Sequence, residues 1–263
     1  MGKGAALKTV CIIQARRGST RLRDKIFKPL AGKAVLEHVI ERAALIDGVD
    51  QVVCATVDDA FNEPVQELAR EAGAAAFAGS EHDVLERYYQ AAVAFEAEAV
   101  MRITADCPLL DPFVCGEAVA NVRAGLADYS ATAGDWPHGM DCEVFPFSWL
   151  EMAHKYTSLP EDREHVTLWM KRHPEIRRMI IDPEDKGLHQ GNRWVLDYPA
   201  DYEFMLQLAA CASGGILPLR WQDTLAIIDA NPELRDINRQ CEADWKAANK
   251  KIFELGTDPT QVK

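Results

Sequence analysis

The sequence predicts an α/β fold, a mostly parallel sheet layered between helices, and three observations carry that expectation. Short apolar runs alternate with helix-like stretches of about a dozen residues through the first 130 positions. The runs at 9–13, 51–57 and 99–104 carry Val, Ile, Ala and Thr, which suits strands inside a sheet. The chain has 263 residues, 48% of them hydrophobic, which is enough apolar material for one large domain.

In order along the chain, strand 9–13 is followed by a basic loop. A helix is predicted over 34–45, where Val35, Leu36, Val39, Ile40 and Ala43 recur at helical spacing. Strand 51–57 leads to a helix at 62–72 that stops at Gly73, and 83–96 reads as the next helix. After strand 99–104, Asp111 is placed as the N-cap of a helix at 112–125 with Pro112 in its first position. Beyond Ser130 the rhythm changes, with a turn-rich stretch at 134–141 and a short strand at 142–147. A helix is expected at 160–173, strands at 176–181 and 194–196, and a helix opened by Pro199 that runs to about residue 212. Asn231-Pro-Glu233 marks another helix start, and the last residues read as frayed. The expectation is a single domain over residues 1–263 with an inserted arm at about 135–190.

The loop after the first strand has the strongest chemical signal. Arg16, Arg17, Arg21, Arg23, Lys25 and Lys28 surround Gly18, Ser19 and Thr20, with Asp24 the one acid among them, in a protein of formal net charge −12. Small residues let backbone N–H groups approach an anion and the cations neutralise it, which is how a polyphosphate is held. A solvated charge run is the alternative, and the loop's place directly after a strand argues against it, since ligands bind beyond the carboxyl ends of parallel strands.

Two carboxylates share that position. Asp106 follows strand 99–104 in Arg102-Ile-Thr-Ala-Asp-Cys-Pro-Leu109, and Asp197 follows 194–196 ahead of a helix. Strand-end carboxylates suit a hard cation such as Mg²⁺ that carries phosphate, although each could equally be a turn or helix cap. The acidic balance of 41 Asp and Glu against 29 Lys and Arg argues against nonspecific binding to nucleic acid or an anionic membrane. No apolar stretch approaches a membrane span, and seven cysteines without a C-x-x-C pair read as reduced thiols of a cytoplasmic protein.

With these residues in view, the chain resembles the cytidylyltransferases that activate acidic sugars, such as CMP-Kdo and CMP-sialate synthetases. The similarity lies in Gln14-Ala-Arg-Arg-Gly-Ser-Thr-Arg-Leu22, Lys25 and Lys28-Pro-Leu-Ala-Gly-Lys33. A closer likeness, to the spore coat polysaccharide biosynthesis protein F branch, adds Gly79-Ser-Glu-His-Asp-Val-Leu-Glu-Arg-Tyr-Tyr89, the Arg102–Leu109 motif, Asp162-Arg-Glu-His-Val-Thr167 and Leu196-Asp-Tyr-Pro-Ala-Asp-Tyr-Glu-Phe204. It covers roughly residues 8–205, and departs from the pattern at Arg17 and Arg23-Asp24.

The resemblance implies a Rossmann-like three-layer α/β/α nucleotidyltransferase fold with a β-rich dimerisation arm, and a homodimer. It implies that CMP passes from CTP to an anionic small-molecule acceptor with release of pyrophosphate, in polysaccharide biosynthesis. Arg16 and Lys25 would hold the triphosphate beside Gln14, Ala15, Gly18 and Ser19. Asp106 and Asp197 would bind Mg²⁺. Thr56, Ser80, Asp83, Val84 and Arg87 fall in the part that reads the base, and Asp141, Glu143, His165 and Arg193 are candidates for the acceptor. A nucleotide-sugar-dependent glycosyltransferase is the runner-up, disfavoured because no Asp-x-Asp occurs and Asp141-Cys-Glu143 is the nearest substitute.

Overall fold

Along β1 (Thr9–Gln14) successive side chains enter opposite layers of the core, because a strand alternates its faces with period two. Cys11 and Ile13 pack with one set of helices, and Val10 and Ile12 with the other. Such a strand has to lie between two helical layers. The computed structural model, which describes residues 7–250, shows that arrangement. The expectation of a frayed C-terminus falls largely outside the described residues.

After β1 the cationic loop contains a short 3-10 turn at Lys25–Phe27, then a hairpin of β2 (Pro29–Leu30) and β3 (Lys33–Ala34). There follow α1 (Val35–Ala44), β4 (Gln51–Val57), α2 (Glu63–Glu71), β5 (Ala75–Gly79), α3 (Val84–Ala94), β6 (Ala99–Thr104) and α4 (Pro112–Arg123). The second half holds β7 (Tyr129–Thr132), β8 (Glu143–Pro146), α5 (Phe147–Tyr156), α6 (Pro160–His165), α7 (Leu168–Arg172) and β9 (Arg178–Ile181). It closes with α8 (Pro199–Cys211), α9 (Trp221–Ala230), α10 (Leu234–Ile237) and α11 (Arg239–Ala248).

Seven strands form one sheet in the order β5-β4-β1-β6-β8-β7-β9. All pairings are parallel except those of β8, which runs against both β6 and β7. The chain leaves β1 toward β4 on one side and later returns to β6 on the other. The crevice between the carboxyl ends of β1 and β6 is therefore the switch point where ligands bind in open α/β sheets.

α1, α2 and α4 cover one face, and α3, α5 and α7 the other. A third apolar cluster joins Trp136, Trp194, Leu196, Phe204, Leu208 and Ile228, seating the C-terminal helices against the loop region. Asp111 caps α4 as expected, accepting from the Phe113 and Val114 N–H groups at 2.8 and 3.4 Å.

Two local expectations differ from the structure. The helix expected over 160–173 is two, because buried Val166 takes φ 63°, ψ −54° between them. Residues 194–196 form no strand. An isolated bridge joins the preceding Arg193 to His138, and the Leu196 N–H bonds to the Asp106 carbonyl at 2.8 Å. Of the segment 135–190, expected as an arm, β8 lies inside the main sheet and β9 at its edge, while α5 and α6 pack on α3.

Candidate active site

The Lys25 ammonium sits at the switch point, 2.5 Å from Asp106 Oδ2 and 2.9 Å from Asp197 Oδ1. These carboxylates are 81 and 172 residues away in sequence. Lys25 comes from the 3-10 turn of the cationic loop, and Asp106 follows β6. Asp197 is held next to it because the Leu196 N–H is bonded to the Asp106 carbonyl. Burial opposes the charge on Lys25, yet the attraction of Asp106 and Asp197 outweighs it and raises the ammonium above its ordinary value. Burial opposes the charge on Asp106 as well. Lys25 and the Thr104 hydroxyl, which donates to Asp106 Oδ1 at 2.6 Å, still hold the carboxylate well below the usual range.

Asp197 has further partners. Arg21 NH2 lies 3.4 Å from its Oδ1, with the guanidinium 4.8 Å from the Tyr198 ring centroid. Arg193 NH2 lies 3.4 Å from its Oδ2. Arg193 is 3% exposed and also pairs with Asp201 at 3.0 Å and Glu242 at 2.9 Å. Asp201 in turn accepts from the Asp197 and Tyr198 N–H groups, which fixes the start of α8. A cleft of about 1060 Å³ opens over this cluster, and Gln14, Arg16, Arg21, Asp106, Asp197 and His138 line it.

A cationic loop over two convergent carboxylates at a switch point is equipment for phosphoryl chemistry. The sequence from residue 10 to 223 matches the family model described as cytidylyltransferase. The chain belongs to the cytidylyltransferase family. It is a CTP-dependent nucleotidyltransferase, and the family match favours nucleotidyl over glycosyl transfer.

An uncharacterized protein of Methanocaldococcus jannaschii is 30% identical over 88% of this chain and 95% of its own. Spore coat polysaccharide biosynthesis protein SpsF of Bacillus subtilis is 28% identical over 84% of this chain and 94% of its own. Among solved structures, a cytidylyltransferase from Leptospira borgpetersenii superposes with TM-score 0.80 at 27% identity, covering 87% of this chain and 96% of that one.

Within this cytidylyltransferase the expected residues separate into two groups. Gln14, Arg16, Val84, Arg87, Asp141, Glu143 and His165 line the same cleft as Asp106 and Asp197. Gly18 and Ser19 are at least partly accessible in the loop, and a Cβ built at Gly18 meets nothing within 4 Å. That glycine is required neither by its backbone angle nor by a close neighbour.

Others are committed inside the protein. Ala15 is buried, with its N–H on the Ala55 carbonyl. Thr56 is buried and its hydroxyl contacts Asn62 at 3.5 Å. Asp83 caps α3 through the Glu86 N–H and binds Arg163 at 2.5 Å. Ser80 accepts from the Asp83 N–H through its hydroxyl and from Arg87 through its carbonyl. Arg193 is absorbed in the ion network described above and does not line the cleft.

Two of the six loop cations are likewise structural. Arg17 pairs with Asp24 and stacks on Phe61, and Lys28 lies over the Tyr202 ring. Arg21, expected only as one of the loop cations, lines the cleft, as do Arg102 and Lys171, to which sequence reasoning gave no role. Arg102 lies within a motif the sequence singles out. Lys171 carried no local signal, being one basic residue on a short helix.

Proposed function

We propose that this cytidylyltransferase transfers CMP from CTP to an anionic small-molecule acceptor, an acidic sugar, phosphonate or sugar phosphate, releasing pyrophosphate. The observation that carries the reading is the convergence of Asp106 and Asp197 on one cation beneath a loop presenting Arg16 and Arg21. The same two carboxylates fit Mg²⁺. They are hard oxygen donors aimed at a common point, and such an ion is usually held by one or two carboxylates plus substrate phosphates. When bound, Mg²⁺ would offset the charge of the phosphates and polarise the one under attack.

The chain's own residues supply the rest. Arg16 and Arg21, both exposed at the cleft, receive the triphosphate and stabilise departing pyrophosphate. Lys25, held as an ammonium by its two ionised carboxylates, exchanges part of that pairing for phosphate oxygens. Asp106 and Asp197 are anchored by Thr104, Arg193 and the backbone, so the site needs little reorganisation when substrate enters. The unpaired thiols, six of seven buried, suit a reducing cytoplasmic setting. A homodimer formed through residues 135–190 belongs to the same reading. Sedimentation equilibrium returning only the monomer mass at micromolar protein would remove that part.

The test is pyrophosphate release with Mg²⁺ and each of the four ribonucleoside triphosphates against a panel of acidic sugars, phosphonates and sugar phosphates. Release is expected with CTP and one acceptor class, and Asp106→Asn is expected to slow it by on the order of a hundredfold or more. Near wild-type turnover in Asp106→Asn would sink the metal assignment. Turnover of a preformed nucleotide sugar without pyrophosphate would sink the transfer reading.

A further inference from the structure

A second charged cluster lines the same cleft and is used by nothing described so far. Arg102 of β6 stands opposite Glu143 of β8 in the antiparallel register. Its NH1 lies 2.6 Å from Glu143 Oε2. Glu143 Oε1 accepts from Lys171 at 2.6 Å, from the Tyr129 hydroxyl at 2.5 Å and from the Thr167 hydroxyl at 2.9 Å. Four internal donors thereby engage the carboxylate, and it is 7% exposed. Burial raises its pKa, but Lys171 and Arg102 outweigh burial and hold it well below the carboxylate range. Three donors crowd its Oε1 and Arg102 holds its Oε2, so the carboxylate is engaged by internal partners before any acceptor, the group it was expected from sequence to bind, arrives.

The cations are not saturated. Two positive groups share one negative, Lys171 has N–H bonds beyond the one it gives Glu143, and Arg102 Nε is buried without a hydrogen-bond partner. Arg102, Lys171 and His165 all line the cleft. Asp141 and Glu164 line it too, but both are exposed, so water screens them more than it screens Lys171, whose side chain is 8% exposed.

A backbone feature independently marks this corner as built. Val166, fully buried between α6 and α7, has φ 63° and ψ −54°, and the Thr167 N–H bonds to the His165 carbonyl at 2.6 Å. This is a γ-turn at positive φ, rare for any side chain and more so for a β-branched one. Such strain persists only where its surroundings enforce it, and it gathers at functional sites. Here it swings the chain so that Thr167 reaches Glu143, His165 lines the cleft and α7 delivers Lys171.

We propose that Arg102 and Lys171, positioned by Glu143, bind the anionic group of the acceptor as a carboxylate, phosphate or phosphonate. The assignment rests on the transfer reading above and names where in the cleft the acceptor's charge is held. Arg102 lies four residues before Asp106, at most about 14 Å along the chain. That spacing sets the length of acceptor whose anionic group and reacting oxygen reach both ends. Glu143 is a positioning residue, balancing the pair so that the Arg102–Lys171–Glu143 cluster keeps a net single positive charge.

The experiment titrates inorganic phosphate, and separately pyruvate, into the full chain by calorimetry, with CTP binding measured on the same samples. Wild type is expected to show an oxyanion-binding component that Arg16→Met retains and Lys171→Met weakens by about ten- to a hundredfold. Lys171→Arg is expected to restore it, and Glu143→Gln to tighten it by removing the competing charge. Circular dichroism confirms that each variant is folded, and the lysine variants carry the test if Glu143→Gln is not. Phosphate binding alone or pyruvate binding alone supports the site and names its preferred anion. The proposal is overturned if all binding is lost in Arg16→Met, if Lys171→Met binds as wild type does, or if neither anion binds. Loss of CTP binding with the Lys171-dependent component intact would sink the transfer reading and leave this site standing.

Discussion

Lys25→Met is expected to slow pyrophosphate release at saturating CTP by on the order of a hundredfold or more, because it removes a preorganised cation from the phosphates. The same variant is expected to bind Mn²⁺ without nucleotide at least about tenfold more tightly, a change of about 1.4 kcal/mol. The ammonium now occupies the point on which Asp106 and Asp197 converge, at 2.5 and 2.9 Å, and methionine vacates it. Turnover is read from released pyrophosphate and metal affinity from the electron paramagnetic resonance of free Mn²⁺. A variant as active as wild type would remove Lys25 from the chemistry. Unchanged Mn²⁺ affinity would place the metal elsewhere.

The pH behaviour of this cluster follows from the signs of the shifts. Lys25 is raised, so its pairing is complete below its ordinary value of 10.5 and is lost only as pH climbs through the higher folded value. Asp106 is lowered, so its share is complete above 3.8 and is lost only as pH falls through the lower folded value. The Lys25–Asp106 pair is therefore fully charged from about pH 5 to 9, and its contribution to stability is flat across that window.

Arg193→Met is expected to cost about 3–5 kcal/mol of stability, the usual penalty for stranding a buried charge. Asp201 is fully buried, and Arg193 is its cationic partner at 3.0 Å. For a chain of this size that corresponds to a melting temperature lower by roughly 10 °C, measurable by circular dichroism. Activity should fall as well, since Asp197 loses the group that fixes its Oδ2. Arg193→Lys is not expected to rescue, because one ammonium cannot replace a fork that spans Asp197, Asp201 and Glu242. A wild-type melting curve in Arg193→Met would show that the network is dispensable.

Legibility in the sequence followed the reach of each signal. β1, β4 and β6 were readable because β-branched and apolar side chains cluster in them. α4 was readable because Asp111 and Pro112 announce its start. β5 is not legible because Ala75–Gly79 is three alanines and a glycine around one strand-favouring phenylalanine, and it is ordered by pairing with β4. α5 was missed because it begins directly after β8 with no polar cap to separate them. The 160–173 helix was read as continuous since nothing local forbids it; the bend at Val166 is imposed by burial and by the Thr167–Glu143 bond.

The site divides in the same way. Asp106 and Lys25 stood out by type and position, and Asp197 by its place after an apolar run. Asp83, Thr56, Glu143 and Arg193 are the same residue types as true ligand contacts, and nothing in a short window reveals that each already has an internal partner. Lys171 had no signal because its importance comes wholly from facing Glu143 across 28 residues of chain.

Local sequence suffices for the layered α/β architecture, the family, and a cationic loop and carboxylates fit for nucleotidyl transfer. These rest on hydrophobic period, local charge and residue type, all properties of short windows. Folding in three dimensions is needed to see that Lys25 bridges Asp106 and Asp197, that β8 sets Glu143 opposite Arg102, and which charged groups face the cleft. Those depend on strand order and on ångström-scale approach between distant segments. A buried charge is either paired or open to the cleft according to that approach, and not according to its neighbours in sequence.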